Sequence, residues 1–328
     1  LVAALVSASP LIVVAGPTAS GKTALALTLA EEFAGEIVSC DSVAVYRGME
    51  IGTAKPTLAE RARVPHHLID IAWPDEPCTA GDYSRLAREA IAGIAGRGRI
   101  PIVAGGTGLY LRALIDGLFP APPRQEELRE KLRARASLRG PAHLHRLLTR
   151  LDPAAADLIH ANDTPKLIRA IEVTLAERKP ITTQWQQGRD ALTGFRILRF
   201  GLNPPRADLY ERINRRAAEM FDSGLVDESS LLVERYGYDC RPLTSLGYAQ
   251  AIAVLRNEIP RDEAVRLAQQ GHRNYAKRQL TWFRKEPSFH WLPGFGSDPA
   301  ILAETKSLVA SHLIASTKKA AEPDRPPA

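Results

Sequence analysis

The apolar positions of this chain follow two patterns. Short runs bounded by glycine, proline or polar residues, Leu11-Ile-Val-Val-Ala15, Glu36-Ile-Val-Ser-Cys40, His66-His-Leu-Ile-Asp-Ile71, Ile100-Pro-Ile-Val-Ala104 and Arg196-Ile-Leu-Arg-Phe-Gly-Leu202, read as strands. Between them apolar residues recur at helical spacing, which predicts helices over 24–30, 82–96, 109–117, 225–236, 248–256 and 262–285, with Asn203-Pro-Pro205 opening one more. Strands alternating with helices imply an open parallel sheet. The proline cluster Phe119-Pro-Ala-Pro-Pro123 marks a boundary, and from Gln125 to Gln187 there are helix formers and no strand signal. The expected organisation is therefore an α/β core in two parts, residues 1–119 and 200–315, interrupted by a helical insertion over 120–199 that lies above the open side of the sheet. The polar, proline-rich stretch 316–328 is expected to be disordered.

Composition narrows the class. With 328 residues, 45% of them hydrophobic and 24% charged, the chain can bury a full core. No apolar stretch exceeds strand length and the first residues lack the pattern of a signal peptide, so a cytoplasmic protein is expected, with no membrane partner. Cys40, Cys78 and Cys240 lie far apart, which fits a reducing compartment and excludes a cysteine zinc finger. The net charge of +6 is unevenly placed: residues 120–200 hold 15 Lys and Arg against 9 Asp and Glu, so this segment carries the whole excess. Such a surface attracts polyanions, although an arginine-rich solvated helix reads the same way.

One stretch carries specific chemistry. Gly16-Pro17-Thr18-Ala19-Ser20-Gly21-Lys22-Thr23 matches G-x-x-x-x-G-K-[ST] and sits between a predicted strand and a predicted helix, the context in which that pattern is a phosphate cradle, or P-loop. The glycines let the backbone approach the ligand, the helix start supplies unpaired amides, Lys22 adds a point charge and the Thr23 hydroxyl can join the shell of Mg²⁺. Asp41-Ser42 stands at the carboxyl end of the second strand, where ligands of open parallel sheets bind. Asp41 is then either a turn residue or a group that orients Mg²⁺ or takes a proton. The irregular segment Val43–Pro56, with Arg47 and Lys55, reads as a binding loop. At the end of the 100–104 strand, Gly105-Gly-Thr-Gly108 stands where an NTP hydrolase commonly holds an aspartate; its glycines and Thr107 suggest close approach of a substrate. His66 and His67 point to opposite faces and receive no chemistry. On the 262–285 helix, at about 100° per residue, Arg266, Arg273, Lys277 and Arg284 form a cationic line opposite Ala264, Ala268, Tyr275 and Trp282. That line suits a phosphate backbone.

Taken together, Gly16–Thr23, Asp41-Ser-x-x-x-Tyr-Arg47, Ile51-Gly-Thr-Ala-Lys-Pro56, His66-His-Leu-Ile-Asp70, Gly105-Gly-Thr-Gly-Leu-Tyr110 and Tyr275-Ala-Lys-Arg-Gln-Leu-Thr-Trp-Phe-Arg284 resemble the bacterial tRNA dimethylallyltransferases, also called tRNA isopentenyltransferases. The resemblance spans about Leu11 to Leu292, in order. It implies a P-loop NTPase-like parallel core with a helical insertion that binds tRNA. It also implies transfer of the dimethylallyl group of dimethylallyl diphosphate to N6 of adenosine 37 in the tRNA anticodon stem-loop. By resemblance Asp41 is the base toward N6. The loop residues Gly16 to Thr23, with Mg²⁺ on Thr23 and with Arg212 and Arg216 as weaker candidates, hold the diphosphate. The same resemblance assigns RNA contacts to Asp41, Ser42, Val43, Ala44, Thr107, Arg129, Pro165, Lys166, Leu167, Ile168, Arg169, Leu246, Gly247, Tyr248, Arg273, Lys277 and Arg278. The chain departs from the family pattern at Ala44, Pro165, Lys166 and Ala249. A monomer is expected. The rival readings are a P-loop small-molecule kinase, with Asp41 deprotonating an acceptor hydroxyl, and an RNA-binding nucleotide switch, which lacks here the guanine-reading N-K-x-D.

Overall fold

A computed structural model describes the backbone of residues 8–321 and the side chains as far as residue 314. It divides into two compact units, residues 1–115 with 192–328, and residues 116–191.

In the first unit the strands are β1 (Ser9–Ala15), β2 (Gly35–Cys40), β3 (His66–His67), β4 (Ile100–Gly105), β5 (Phe195–Leu202) and β6 (Phe289–Leu292). They form one sheet in the order β3-β2-β4-β1-β5-β6, and every neighbouring pair is parallel. In β1, Leu11, Val13 and Ala15 enter one apolar cluster while Ile12 and Val14 enter the other. That double burial explains why the central strands are continuous apolar runs rather than alternating ones. At about 1.5–3 kcal/mol per buried aliphatic side chain, these faces are the main force holding the sheet in its layer.

The helices of this unit before the insertion are α1 (Lys22–Glu32), α2 (Leu58–Arg63), α3 (Ala80–Gly96) and α4 (Gly108–Ile115). Thr57 and Thr79 start α2 and α3 with reciprocal capping boxes to Glu60 and Asp82. The helical unit contains α5 (Glu126–Arg139), α6 (Pro141–Leu151), α7 (Pro153–Leu158), α8 (Thr164–Glu177) and α9 (Ile181–Gln186) around a core of its own that includes Leu132, Leu144, Leu148, Leu167 and Ile171. Buried Asp152 accepts from the Ala155 and Thr182 amides, both at 3.0 Å, and so ties α7 to α9. The chain returns to the first unit through Leu192, whose N–H donates to the Ile115 carbonyl at 2.8 Å. Residues 192–199, which the composition placed in the insertion, therefore belong to the sheet unit, because β5 pairs with β1 from Phe195 onward.

The remaining helices are α10 (Arg206–Asp222), α11 (Leu225–Tyr236), α12 (Tyr248–Leu255), α13 (Arg261–Phe283) and α14 (Pro299–Ala321). Of these, α14 packs with α1 over one face of the sheet, through Ile301 and Val309 beside Leu25 and Leu29. Three elements escape the sequence pattern. The edge strand β6, the short α2 and the long α14 have no clear period, and the run predicted over 66–71 is a strand for only two residues before Leu68 and Asp70 turn at positive φ. Residues 316–321, expected to be disordered, continue α14, and 322–328 lie outside the described residues.

Candidate active site

The phosphate loop follows from two constraints. Ala19 (φ 63°) and Gly21 (φ 87°) adopt left-handed backbone, which curls the chain between β1 and α1, and at Gly21 a Cβ would run into the backbone of Gly296. Alternating handedness of this kind makes a concave nest of amides. No side chain caps α1, so the amides at its start are left for a ligand. The loop is braced from outside by the Gly296 amide, which donates to the Ser20 carbonyl at 2.9 Å. Lys22 Nζ donates to the Pro17 carbonyl of its own loop at 2.8 Å. Burial pulls its pKa down to about 8, with repulsion from Arg216 in the same direction and attraction from Asp41 against it. Burial likewise lowers Arg216, which Asp41 and Glu219 partly offset. Two cations and one carboxylate are thus within electrostatic reach of each other at the mouth of the nest. Arg212, by contrast, lies over the Phe295 ring at 4.2 Å.

Asp41 serves as both turn residue and available carboxylate. Its Oδ1 accepts from the Val43 amide at 2.8 Å and the Ala44 amide at 3.1 Å, and among the described residues Oδ2 accepts no hydrogen bond. The carboxylate is thereby oriented without being used up. Thr107 joins the tips of β2 and β4: its hydroxyl accepts from the Ser42 amide at 3.1 Å and its own amide donates to Cys40 at 3.2 Å. The Tyr275 phenol stands beside them. Burial pushes its pKa up to about 12, Asp41 adding and the Thr107 hydroxyl opposing. Beside Asp41, burial pushes the Cys40 thiol up to about 12 as well.

The two half-sites are joined by Gln279 of α13, which the sequence reading left without a role. Its Oε1 accepts from the Thr18 amide at 2.8 Å and its Nε2 donates to the Gly106 carbonyl at 2.9 Å. A Cβ at Gly106 would strike this amide, one at Gly105 the Cys40 carbonyl, and one at Gly108 the Trp282 ring. The glycines of the β4 tip therefore make room for α13 and β2, not for a substrate as their composition suggested. Gln279 follows Tyr275 by four residues, so a polar residue on the buried face of the wheel was the available signal.

The segment Val43–Pro56 is corrected more fully. Lys55 Nζ, almost wholly enclosed, binds the Tyr46 carbonyl at 2.6 Å, Glu50 at 2.9 Å and Asp70 at 2.5 Å. Glu228 of α11 accepts from the amides of Glu50 and Ile51 at 3.0–3.1 Å and from the Tyr248 hydroxyl at 2.6 Å. Every cue to binding in this segment, bar Arg47 on the Trp73 ring, is spent on its own fold. Tyr248 is fully buried against Gly52, and Gly247 is buried beside it, so neither side of that pair is offered to a partner, while Leu246 packs on Gly271. In the helical unit Leu167 and Ile168 are core residues. Arg129 and Arg169 both bind the buried Glu172, at 3.0 and 2.6 Å. Pro165 lies in the first turn of α8 and Lys166 is exposed and paired with Asp163 at 2.5 Å.

On α13, the cationic line is real but not free of acids, since Arg266 pairs with Glu263 at 2.5 Å. Arg273 is bound to Asn214 and to Gln270, and Arg278 lies exposed near the Tyr275 ring. Lys277 and Arg284 line, with Arg206 and Tyr210, an open groove of about 540 Å³ between α10 and α13. His66 and His67 bind the Val64 carbonyl and Glu36, in keeping with structural roles.

Comparison with known proteins now has a geometry to meet. A family model described as IPP transferase matches residues 44–286, and one described as isopentenyl transferase matches residues 10–69. The chain is similar to the tRNA dimethylallyltransferase of Koribacter versatilis, with 63% identity over 91% of this chain and 97% of the relative. It is 52% identical to that of Solibacter usitatus over 93% and 99%. Among solved structures it resembles the full-length tRNA isopentenylpyrophosphate transferase of Bacillus halodurans, at 37% identity, TM-score 0.71 and coverage of 96% and 100%. A eukaryotic dimethylallyltransferase described as acting on tRNA aligns at TM-score 0.79 with 25% identity, over 94% of this chain and 80% of that one.

Proposed function

This chain belongs to the IPP transferase family, and on that premise we propose that it transfers the dimethylallyl group of dimethylallyl diphosphate to N6 of adenosine 37 in tRNA, releasing diphosphate. The observation that carries this reading is the uncapped start of α1 behind the amide nest, with Lys22, Arg216 and the Asp41 carboxylate of the neighbouring strand tip within electrostatic reach of one another.

In the reaction the C–O bond of the allylic carbon breaks, an N6–C bond forms, the diphosphate keeps the bonding electrons and N6 loses a proton. The charge that develops on the leaving oxygens falls where the loop amides, Lys22 and Arg216 converge, and fixed donors of this kind stabilise it without reorganising. Diphosphate also relieves the repulsion between the two cations and gives Lys22 a partner better than its own loop carbonyl. Asp41 accepts the proton through Oδ2, while the two amides on Oδ1 hold the carboxylate in line. Thr107 fixes the strand tips that carry it, and an adenine brought there leaves its stack to reach Oδ2.

Mg²⁺ fits this site as an ion carried with the substrate. Among the described residues no three His, Cys, Asp or Glu side chains cluster as ligands, whereas the exposed Thr23 hydroxyl at the start of α1 offers one oxygen beside the nest. Bound there, the ion neutralises diphosphate charge. We place the enzyme in the cytoplasm, a reading that its three unpaired cysteines support, and propose that it acts as a monomer. No described helix is long and apolar enough to cross a membrane.

The test is incubation of the full chain with Mg²⁺, an anticodon stem-loop RNA and labelled dimethylallyl diphosphate. Label is expected in the RNA and absent with Asp41→Ala. ATP consumption without label transfer would instead favour a P-loop kinase.

A further inference from the structure

One polar group near the phosphate loop has no role in the account so far. His272 projects from α13, and its Nε2 is buried with no hydrogen-bond partner. It borders a void of about 10 Å³ whose other walls are Thr18, Ala19, Ile213, Arg216, Ala217 and Met220. Thr18 and Ala19 are the apex of the phosphate loop, and Arg216 is the same guanidinium that interacts with Lys22 and Asp41. The imidazole therefore shares this void with Arg216 and with the loop that curls over the ligand. An orphaned buried donor or acceptor is unfavourable and is normally avoided. A void of this size holds no more than about one water.

From this geometry we infer that His272 is a further ligand of the diphosphate, donating Nε2–H to a phosphoryl oxygen held at the loop apex, and that it takes up a proton as the diphosphate binds. The inference rests on the reading of Gly16–Thr23 as a diphosphate site. The charges around His272 give the direction of the coupling. Arg216 of α10 faces it across the void, the Asp41, Glu219 and Lys22 charges act on that guanidinium, and the other walls of the void are uncharged. Burial and Arg216 hold its pKa down to about 4, so at neutral pH the unliganded imidazole is neutral. A diphosphate places several negative charges against Arg216, cancels its repulsion and favours the imidazolium. The stabilised group is the departing diphosphate, so the proton arrives where negative charge accumulates in the transition state.

The experiment is titration calorimetry of the full chain with inorganic diphosphate and Mg²⁺ at pH 6, in buffers of different ionisation enthalpy, together with NMR of the His272 imidazole in the unmutated chain. Diphosphate exchanges protons of its own, so the readout is the difference between wild type and variant. Wild type is expected to take up more protons per diphosphate than His272→Gln, with His272→Ala binding about tenfold more weakly and the glutamine variant, which keeps a donor, within about threefold. The NMR titration is expected to move the His272 pKa upward by at least one unit on saturation and needs no variant to fold. Diphosphate binding that Lys22→Ala abolishes, with proton uptake, affinity and the imidazole pKa all indifferent to His272, overturns this inference and leaves the site reading intact. Failure of wild type to bind diphosphate at all overturns both.

Discussion

The phosphate loop and the segment Val43–Pro56 share a composition and differ in outcome. Each combines glycines with a lysine in irregular backbone next to the sheet. In the second, Lys55 is enclosed by a carbonyl and two carboxylates, and Glu228 receives two of the segment's amides. In the first, half-buried Lys22 shares one carboxylate, Asp41, with a second cation, Arg216, and the helix start behind it has no cap. Burial of charge is unfavourable in both places. Where the compensating charge is built into the chain, the cluster is architecture. Where it is missing, an anion from outside completes it. The comparison also separates two kinds of glycine: Gly21 accepts the left-handed turn of the nest, whereas Gly52 and Gly106 are empty because Tyr248 and Gln279 fill their space.

Four changes to the protein or its solvent test whether the two clusters differ in this way. The largest effect is expected at Asp41→Asn. The amide oxygen can still receive Val43 and Ala44, so the melting temperature should stay within about 2 °C. Prenyl transfer should fall by roughly 10²–10⁴, the range of general base catalysis. Equal losses in stability and activity would reduce Asp41 to a turn residue. Next, Lys55→Ala leaves Glu50 and the partly buried Asp70 with Arg61 alone, and should cost about 2–3 kcal/mol in urea denaturation. Diphosphate affinity should be unchanged; a drop in affinity without a drop in stability would restore Val43–Pro56 as a binding loop.

The third concerns pH. Burial first and Arg216 second disfavour the charged form of His272 and hold its folded pKa down to about 4, against an ordinary 6.5. The unfolded chain therefore binds the extra proton between those values. Stability from this source is complete above about pH 6.5 and is lost as pH falls toward 4, by about 2–3 kcal/mol at pH 4.5. The urea midpoint of wild type should fall over this window more steeply than that of His272→Gln, and parallel curves would show that the imidazole is not held neutral in the folded protein. The smallest effect is expected for Thr107→Val, which removes the acceptor for the Ser42 amide. It should cost about 1 kcal/mol and lower kcat several-fold by loosening the tip that carries Asp41, with KM for the diphosphate substrate unmoved.

Much of the fold was legible because its causes are local. A strand buried on both faces has to be apolar throughout, which makes β1 and β4 legible; β2 and β5 still show as short apolar runs despite Glu36, Arg196 and Arg199, and the apolar period gives Leu225–Tyr236 to the residue. The phosphate loop was legible because its backbone demands glycine at a set spacing, and Asp41 because a parallel sheet directs ligands to the carboxyl tips of its strands. The short edge strand β6 has only four residues and α14 a weak periodicity, so neither stood out.

What the chain determines by itself is where it can bend, which segments must be buried on both faces, and the amide nest with its lysine, since these depend on residues adjacent in sequence. What only the tertiary structure decides is how charges and polar atoms are spent. Thr18 meets Gln279 across 261 positions, Glu228 meets the backbone of Ile51 across 177, and Arg216 comes within electrostatic reach of Lys22. Electrostatic cost depends on distance and burial, not on separation along the chain. The same lysine is therefore a strut in one cluster and a waiting cation in another, and folding alone assigns which is which.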